Sequence, residues 1–201
     1  MNTLLKSISY IFHPLLMPFL GVFFYFLISP RFIPLPLIKA KLFSLALLTI
    51  ILPILLFFVF KKTRWVNTIY LETTKERIIP LVLNCIIIFF VVQRVLPFNE
   101  IVELYYFFIG VLLSTLACLL LSILKFKVSI HMVASGGVLL FFIAISIYFN
   151  ININGTIALF FIIIGAIATS RLHLNAHTNI ELIIGFFVGV IPQLILINYW
   201  L

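Results

Sequence analysis

The chain has 201 residues, 65% of them hydrophobic and 9% charged, with a formal net charge of +8. A soluble domain of this size does not carry such a composition, so the chain reads as an integral membrane protein. The 13 Lys and Arg face five acidic residues, a balance that suits lipid headgroups or a phosphate-bearing ligand and gives no sign of a nucleic-acid partner.

A bilayer core about 30 Å thick takes roughly 20 apolar residues of helix. Runs of that kind follow one another at 11–29, 42–60, 78–97, 103–124, 128–149, 153–170 and 182–200. They leave no space for a soluble domain. The expected fold class is all-α, a polytopic membrane bundle forming one domain over 1–201, with an N-terminal hydrophobic segment and loop (1–41) ahead of a six-helix core (42–201). The start shows no small-residue cleavage site, so the first segment is expected to remain in the mature protein. Its "FHPLLMP" sets His13 beside two prolines, which suits an interfacial or re-entrant piece and makes His13 an interfacial or capping residue. Lys61, Lys62 and Arg64 read as headgroup anchors, and Trp65 and Tyr70 as an aromatic belt. Cys85 and Cys118 lie in apolar runs and read as small core residues. Arg94 is expected to snorkel to the far surface or to pair with Glu100 or Glu103. "ASGG" at 134–137 and the pair Gly185 and Gly189 are expected to let helices approach closely.

Because successive spans alternate sides, the loops at 61–77, 125–127 and 170–181 share a face with the N-terminus. That face holds nine of the 13 basic residues. Its polar chemistry lies in three stretches, each read as opening a helix: "LETTKERIIP" with Lys75 and Arg77, "KVSIHMVASGG" with Lys127, Ser129 and His131, and "SRLHLNAHTNIE" with Ser170, Arg171, His173, His177 and Glu181. Helix starts present unpaired N–H groups and positive dipole ends, so three of them with guanidinium and ammonium groups suit an anion, phosphate above all. His177 and Glu181 are four apart, a spacing that lets a carboxylate hold one ring nitrogen and leave the other as nucleophile or ligand. His173 is expected at the mouth of such a site.

The order Ser170, Arg171, five residues, His177, three residues, Glu181 resembles the third signature of the type 2 phosphatidic acid phosphatase superfamily, which includes vanadium haloperoxidases. "VSIH" matches its second signature at Ser129 and His131, and "KERIIP" has the residue types of the first at another spacing. The resemblance implies a six-helix phosphatase-like core and a cofactor-free hydrolase acting on a lipid phosphate: phosphatidic acid, phosphatidylglycerol phosphate or a polyprenyl diphosphate. It also implies roles. His177 would form a phosphohistidine with Glu181 holding its ring, His131 would serve the leaving oxygen and then water, and Arg77, Arg171, Lys75, Lys127, Ser129 and Ser170 would surround the phosphate. The chain departs from the pattern at Glu181 for Asp, at Ile130 for Gly and at Tyr70 for Lys. These departures keep open a non-catalytic lipid-binding or lipid-translocating protein, and the histidines keep open a bis-histidine redox protein. The resemblance places the chain in a bacterial inner membrane with its active face periplasmic, whereas the positive-inside rule favours the cytoplasm.

Overall fold

The structure is a computed structural model that describes residues 2–63 and 73–201. The expected anchors Arg64, Trp65 and Tyr70 lie outside the described residues. Eight continuous helices and no strand occur among the described residues: α1 (Asn2–Ile11), α2 (Met17–Ile28), α3 (Leu35–Lys62), α4 (Thr74–Val95), α5 (Val102–Ile123), α6 (Ile130–Tyr148), α7 (Asn154–His173) and α8 (Asn179–Ile197). The six from α3 to α8 are long and apolar enough to cross a membrane. The chain is an all-α multi-pass bundle, as expected.

The third helix starts earlier than hydropathy indicated. Residues 35–41 were expected in the connection at 29–41, yet Pro36 occupies the first turn of α3. A proline there sacrifices no hydrogen bond, and its fixed φ already suits a helix. The boundary expected between 41 and 42 therefore falls inside α3. Farther along, Pro53 has no N–H to give, and the helix widens into a π turn just before it, with Leu52 N–H reaching Leu47 O.

Three helices end in the same device. Lys125, Asn150 and Asn175 take left-handed φ values of 63°, 53° and 50°, and the following amides of Phe126, Ile151 and Ala176 reach back to Leu121, Ser146 and Arg171 carbonyls. These are Schellman closures. Asparagine tolerates that backbone better than branched residues do. Asn175→Gly is expected to leave the thermal midpoint in detergent unchanged or slightly raised, and Asn175→Val to cost about 1–2 kcal/mol.

The core forms where α6 meets α8, the most extensive helix pair in the bundle. A Cβ on Gly136 would lie 2.6 Å from Phe186 O, and one on Gly185 would lie 2.7 Å from Ser129 O. The small residues therefore pack the backbones together, as the sequence implied. Phe107 stacks on Phe141 with centroids 4.3 Å apart. Gln193 donates to Phe107 O at 2.9 Å, so its buried amide is satisfied within the bundle. Cys85 and Cys118 are buried and unlinked.

At one end of the bundle, charges close the structure. Glu103, fully buried, pairs with Arg31 at 2.8 Å, and Arg31 also donates to the Tyr148 hydroxyl at 2.7 Å. Lys41 pairs with Glu100 and donates to Val95 O at 2.6 Å, occupying a carbonyl that the end of α4 leaves over. Both acids proposed for Arg94 are therefore engaged elsewhere, and Arg94 is exposed in the last turn of α4. The same contacts settle the first segment. Helix α2 has 12 residues, about 18 Å, but His13 meets His131 at the start of α6 while Arg31 meets Tyr148 at its end. Helix and extended residues together run the whole length of α6.

Candidate functional site

The other end gathers three helix starts. Thr73 caps α4 by accepting from Glu76 N–H at 3.3 Å, which places Arg77 in the first turn facing inward, 4% exposed. Its guanidinium donates to Val128 O at 2.7 Å, just before Ser129, the N-cap of α6. Ser129 N–H in turn donates to Glu181 O at 3.2 Å. One side chain and one amide thus tie the starts of α4, α6 and α8 together.

The stretch from Ser170 to Glu181 differs from its sequence reading. Arg171 and His173 close α7 rather than open the next helix. The chain then turns through Asn175, and α8 begins after its N-cap Thr178. His177 precedes the helix, so it shares no helical face with Glu181. A capping box joins them instead: Glu181 N–H donates to Thr178 Oγ1 at 3.4 Å, Thr178 N–H donates to Glu181 Oε2 at 3.2 Å, and the returned carboxylate receives His177 Nδ1–H at 2.7 Å. Burial lowers the His177 pKa to about 4; the Glu181 hydrogen bond opposes this, while the Arg77 and Arg171 charges add to it. The ring is neutral at physiological pH, its proton sits on Nδ1, and Nε2 keeps a lone pair.

These groups converge on a cavity of about 380 Å³. His131, His177, Arg77 and Arg171 line its polar end, and Pro53, Phe57, Leu83 and Ile87 from α3 and α4 line its apolar flank. His131 Nε2–H donates to Ser9 O at 3.2 Å, a bond a carbonyl makes only as acceptor, so Nδ1 is the unprotonated nitrogen.

His13 lines the same cavity, its ring 5.7 Å from that of His131. Leu15 N–H donates to its Nδ1 at 3.3 Å, which leaves Nε2–H as the remaining donor. Burial first, then the Arg171 charge, hold His13 below the usual imidazole pKa. Sequence reasoning made it an interfacial or capping residue; the available signal was a His-Pro break directly after a short amphipathic segment.

Other expected ligands lie elsewhere. The Ser170 hydroxyl is used in docking α1, at 2.7 Å from Ser9 Oγ and 2.6 Å from Leu5 O. Ser129 is fully buried and outside the cavity wall, and its hydroxyl has no hydrogen-bond partner among the described residues. Lys75 is exposed and Lys127 half-buried, and neither lines the cavity. His173 is exposed and does not line the cavity either.

No family model, curated protein or solved structure matches the chain. The functional reading therefore stands on the motif and on the geometry around His177.

Proposed function

We propose that this chain is a lipid-phosphate phosphatase of the membrane, working through a phosphohistidine. The observation that carries it is a single amphipathic cavity in which His177, oriented by Glu181, faces two buried guanidinium groups beside a hydrocarbon-lined flank. Phosphate oxygens bind between Arg77 and Arg171, with His13 Nε2–H as a further donor. The His177 Nε2 lone pair forms the N–P bond as the ester P–O bond breaks, and Glu181 offsets the charge on the phosphorylated ring. Neutral His131 takes the proton of the bound phosphate monoanion at Nδ1 and passes it to the leaving oxygen. Water then attacks phosphorus as the N–P bond breaks, His131 Nδ1 takes the water's proton and returns it to the departing phosphate, and both histidines are restored. Fixed cations and a neutral imidazole supply this chemistry without any cofactor.

Purified protein is expected to release inorganic phosphate from phosphatidic acid, phosphatidylglycerol phosphate or a polyprenyl diphosphate in the presence of a chelator. Failure on all three would overturn the reading. Arg171→Gln is expected to lower kcat about 10²–10³-fold, because a preorganised donor to the developing charge is lost. An unchanged kcat would remove Arg171 from the site.

We place the protein in a bacterial inner membrane. Among the described basic residues on the site face, Arg77 and Arg171 alone line the cavity. The other seven of the nine on that face still outnumber the four on the opposite face, which favours a cytoplasmic active face over the periplasmic one that the resemblance implies. Labelling a cysteine introduced at Lys75 with an impermeant thiol reagent in intact cells tests this: protection supports the cytoplasmic side and labelling refutes it.

A further inference from the structure

Asn84 sits midway along α4, among Leu81, Leu83, Cys85 and Ile87. Its side chain has no hydrogen-bond partner among the described residues, and it lines the main cavity. Within a bilayer such an amide is costly, since neither water nor lipid tails satisfy it, so a partner supplied by a ligand is the natural reason to hold it there. Its position is set by the helix. Seven residues after Arg77, it projects from nearly the same face about 10 Å farther into the membrane. A second cavity of about 100 Å³ adjoins the first and shares Pro14, Leu15, Leu81, Asn84 and Ile130 as wall. The hydrocarbon space therefore lies on two sides of Asn84, toward α3 in one direction and toward Phe107 and Val138 in the other.

A phosphate held at Arg77 puts different chemistry at that depth according to its lipid. A glycerolipid brings ester carbonyls there, at the level where its two chains part. An isoprenoid brings a single methyl-branched hydrocarbon chain there, with no group to accept a hydrogen bond. We infer that Asn84 is a specificity-determining residue whose amide donates to an ester carbonyl of a diacylglycerol phosphate, so that the site selects diacyl over isoprenoid substrates. This rests on the phosphatase reading above and narrows its substrate class.

The test compares diacyl phosphatidic acid, its dialkyl ether analogue and farnesyl diphosphate in mixed micelles, with the wild-type chain and Asn84→Leu. The wild type is expected to favour the diacyl substrate and to show a KM about tenfold higher for the ether, the loss of one hydrogen bond. Asn84→Leu is expected to raise KM for the diacyl substrate by about the same factor, with kcat nearly unchanged and no further effect on the ether or on farnesyl diphosphate. Asn84→Gln, which keeps the amide, is expected to recover part of the diacyl preference. Equal effects of Asn84→Leu on all three substrates, an unchanged diacyl KM, or a wild-type preference for farnesyl diphosphate would each overturn the inference while leaving the phosphatase intact. No release from any substrate by the wild type would instead remove the phosphatase reading, and this inference with it.

Discussion

Phosphate release from a lipid phosphate is expected to vanish in His177→Ala, by a factor on the order of 10⁴ or more, because among the described residues no other group in the cavity is both neutral and held by a carboxylate. Activity surviving at wild-type levels would sink the nucleophile assignment. Glu181→Gln separates chemistry from folding. Glutamine can still complete the capping box with Thr178, so thermal stability is expected to hold while turnover falls about 10²–10⁴-fold through loss of ring orientation and charge. The pH profile carries the same argument. His177 is lowered to about 4, so it is neutral and nucleophilic above that value and loses its lone pair to a proton only as pH falls through it. Its acid limb is therefore expected near pH 4 rather than near the 6.5 of a free imidazole. The Glu181 hydrogen bond raises the value, so Glu181→Gln is expected to move that limb lower still. A limb that stays at 6.5 in the wild type would contradict the burial of the ring.

The second large effect concerns packing. A Cβ on Gly189 would stand 2.0 Å from Val133 O and 2.9 Å from Gly137 N. Both are backbone atoms of α6, so no rotamer change relieves the clash and the helices must separate. Gly189→Leu is expected to cost about 3 kcal/mol or more, seen as loss of monodisperse protein in detergent or a steep fall in thermal midpoint. Activity should fall with it, since α6 carries His131 and α8 begins with the turn that sets Glu181. Gly165 is the control. Nothing lies within 4 Å of its Cβ position, so Gly165→Ala is expected to be neutral or to stabilise through helix propensity, by up to about 1 kcal/mol. A neutral Gly189→Leu would refute the close crossing.

Hydropathy located the long helices because a membrane imposes their length, and the faces followed from simple alternation. It placed the start of α3 late because Lys39 and Lys41 interrupt the apolar run, although the helix continues through them. The site was legible where a motif carried its own geometry, as in the turn from Arg171 to Glu181. Even there, spacing suggested a shared helix face, while the structure brings His177 and Glu181 together through a cap before the helix begins. A count of four residues does not distinguish these. Ser170 was read as a phosphate ligand because the motif placed it there, but a hydroxyl at a helix end bonds whatever carbonyl comes near, and here that is Leu5 of α1. Asn84 and His13 were legible only as isolated polar residues. Their significance depends on which way a helix is rotated, and hydropathy does not report rotation.

The ion pair of Glu103 with Arg31 also bears on how the chain is built. A carboxylate fully enclosed at a membrane boundary is tolerable only beside its counter-charge, and Arg31 supplies that charge from the exposed rim. Arg31 and Glu103 lie 72 residues apart in the chain, so their pairing joins distant segments. The stretch that carries Arg31 also gives Ser9 and His13 to the far end, so one run of chain clips both ends of α6 to their surroundings.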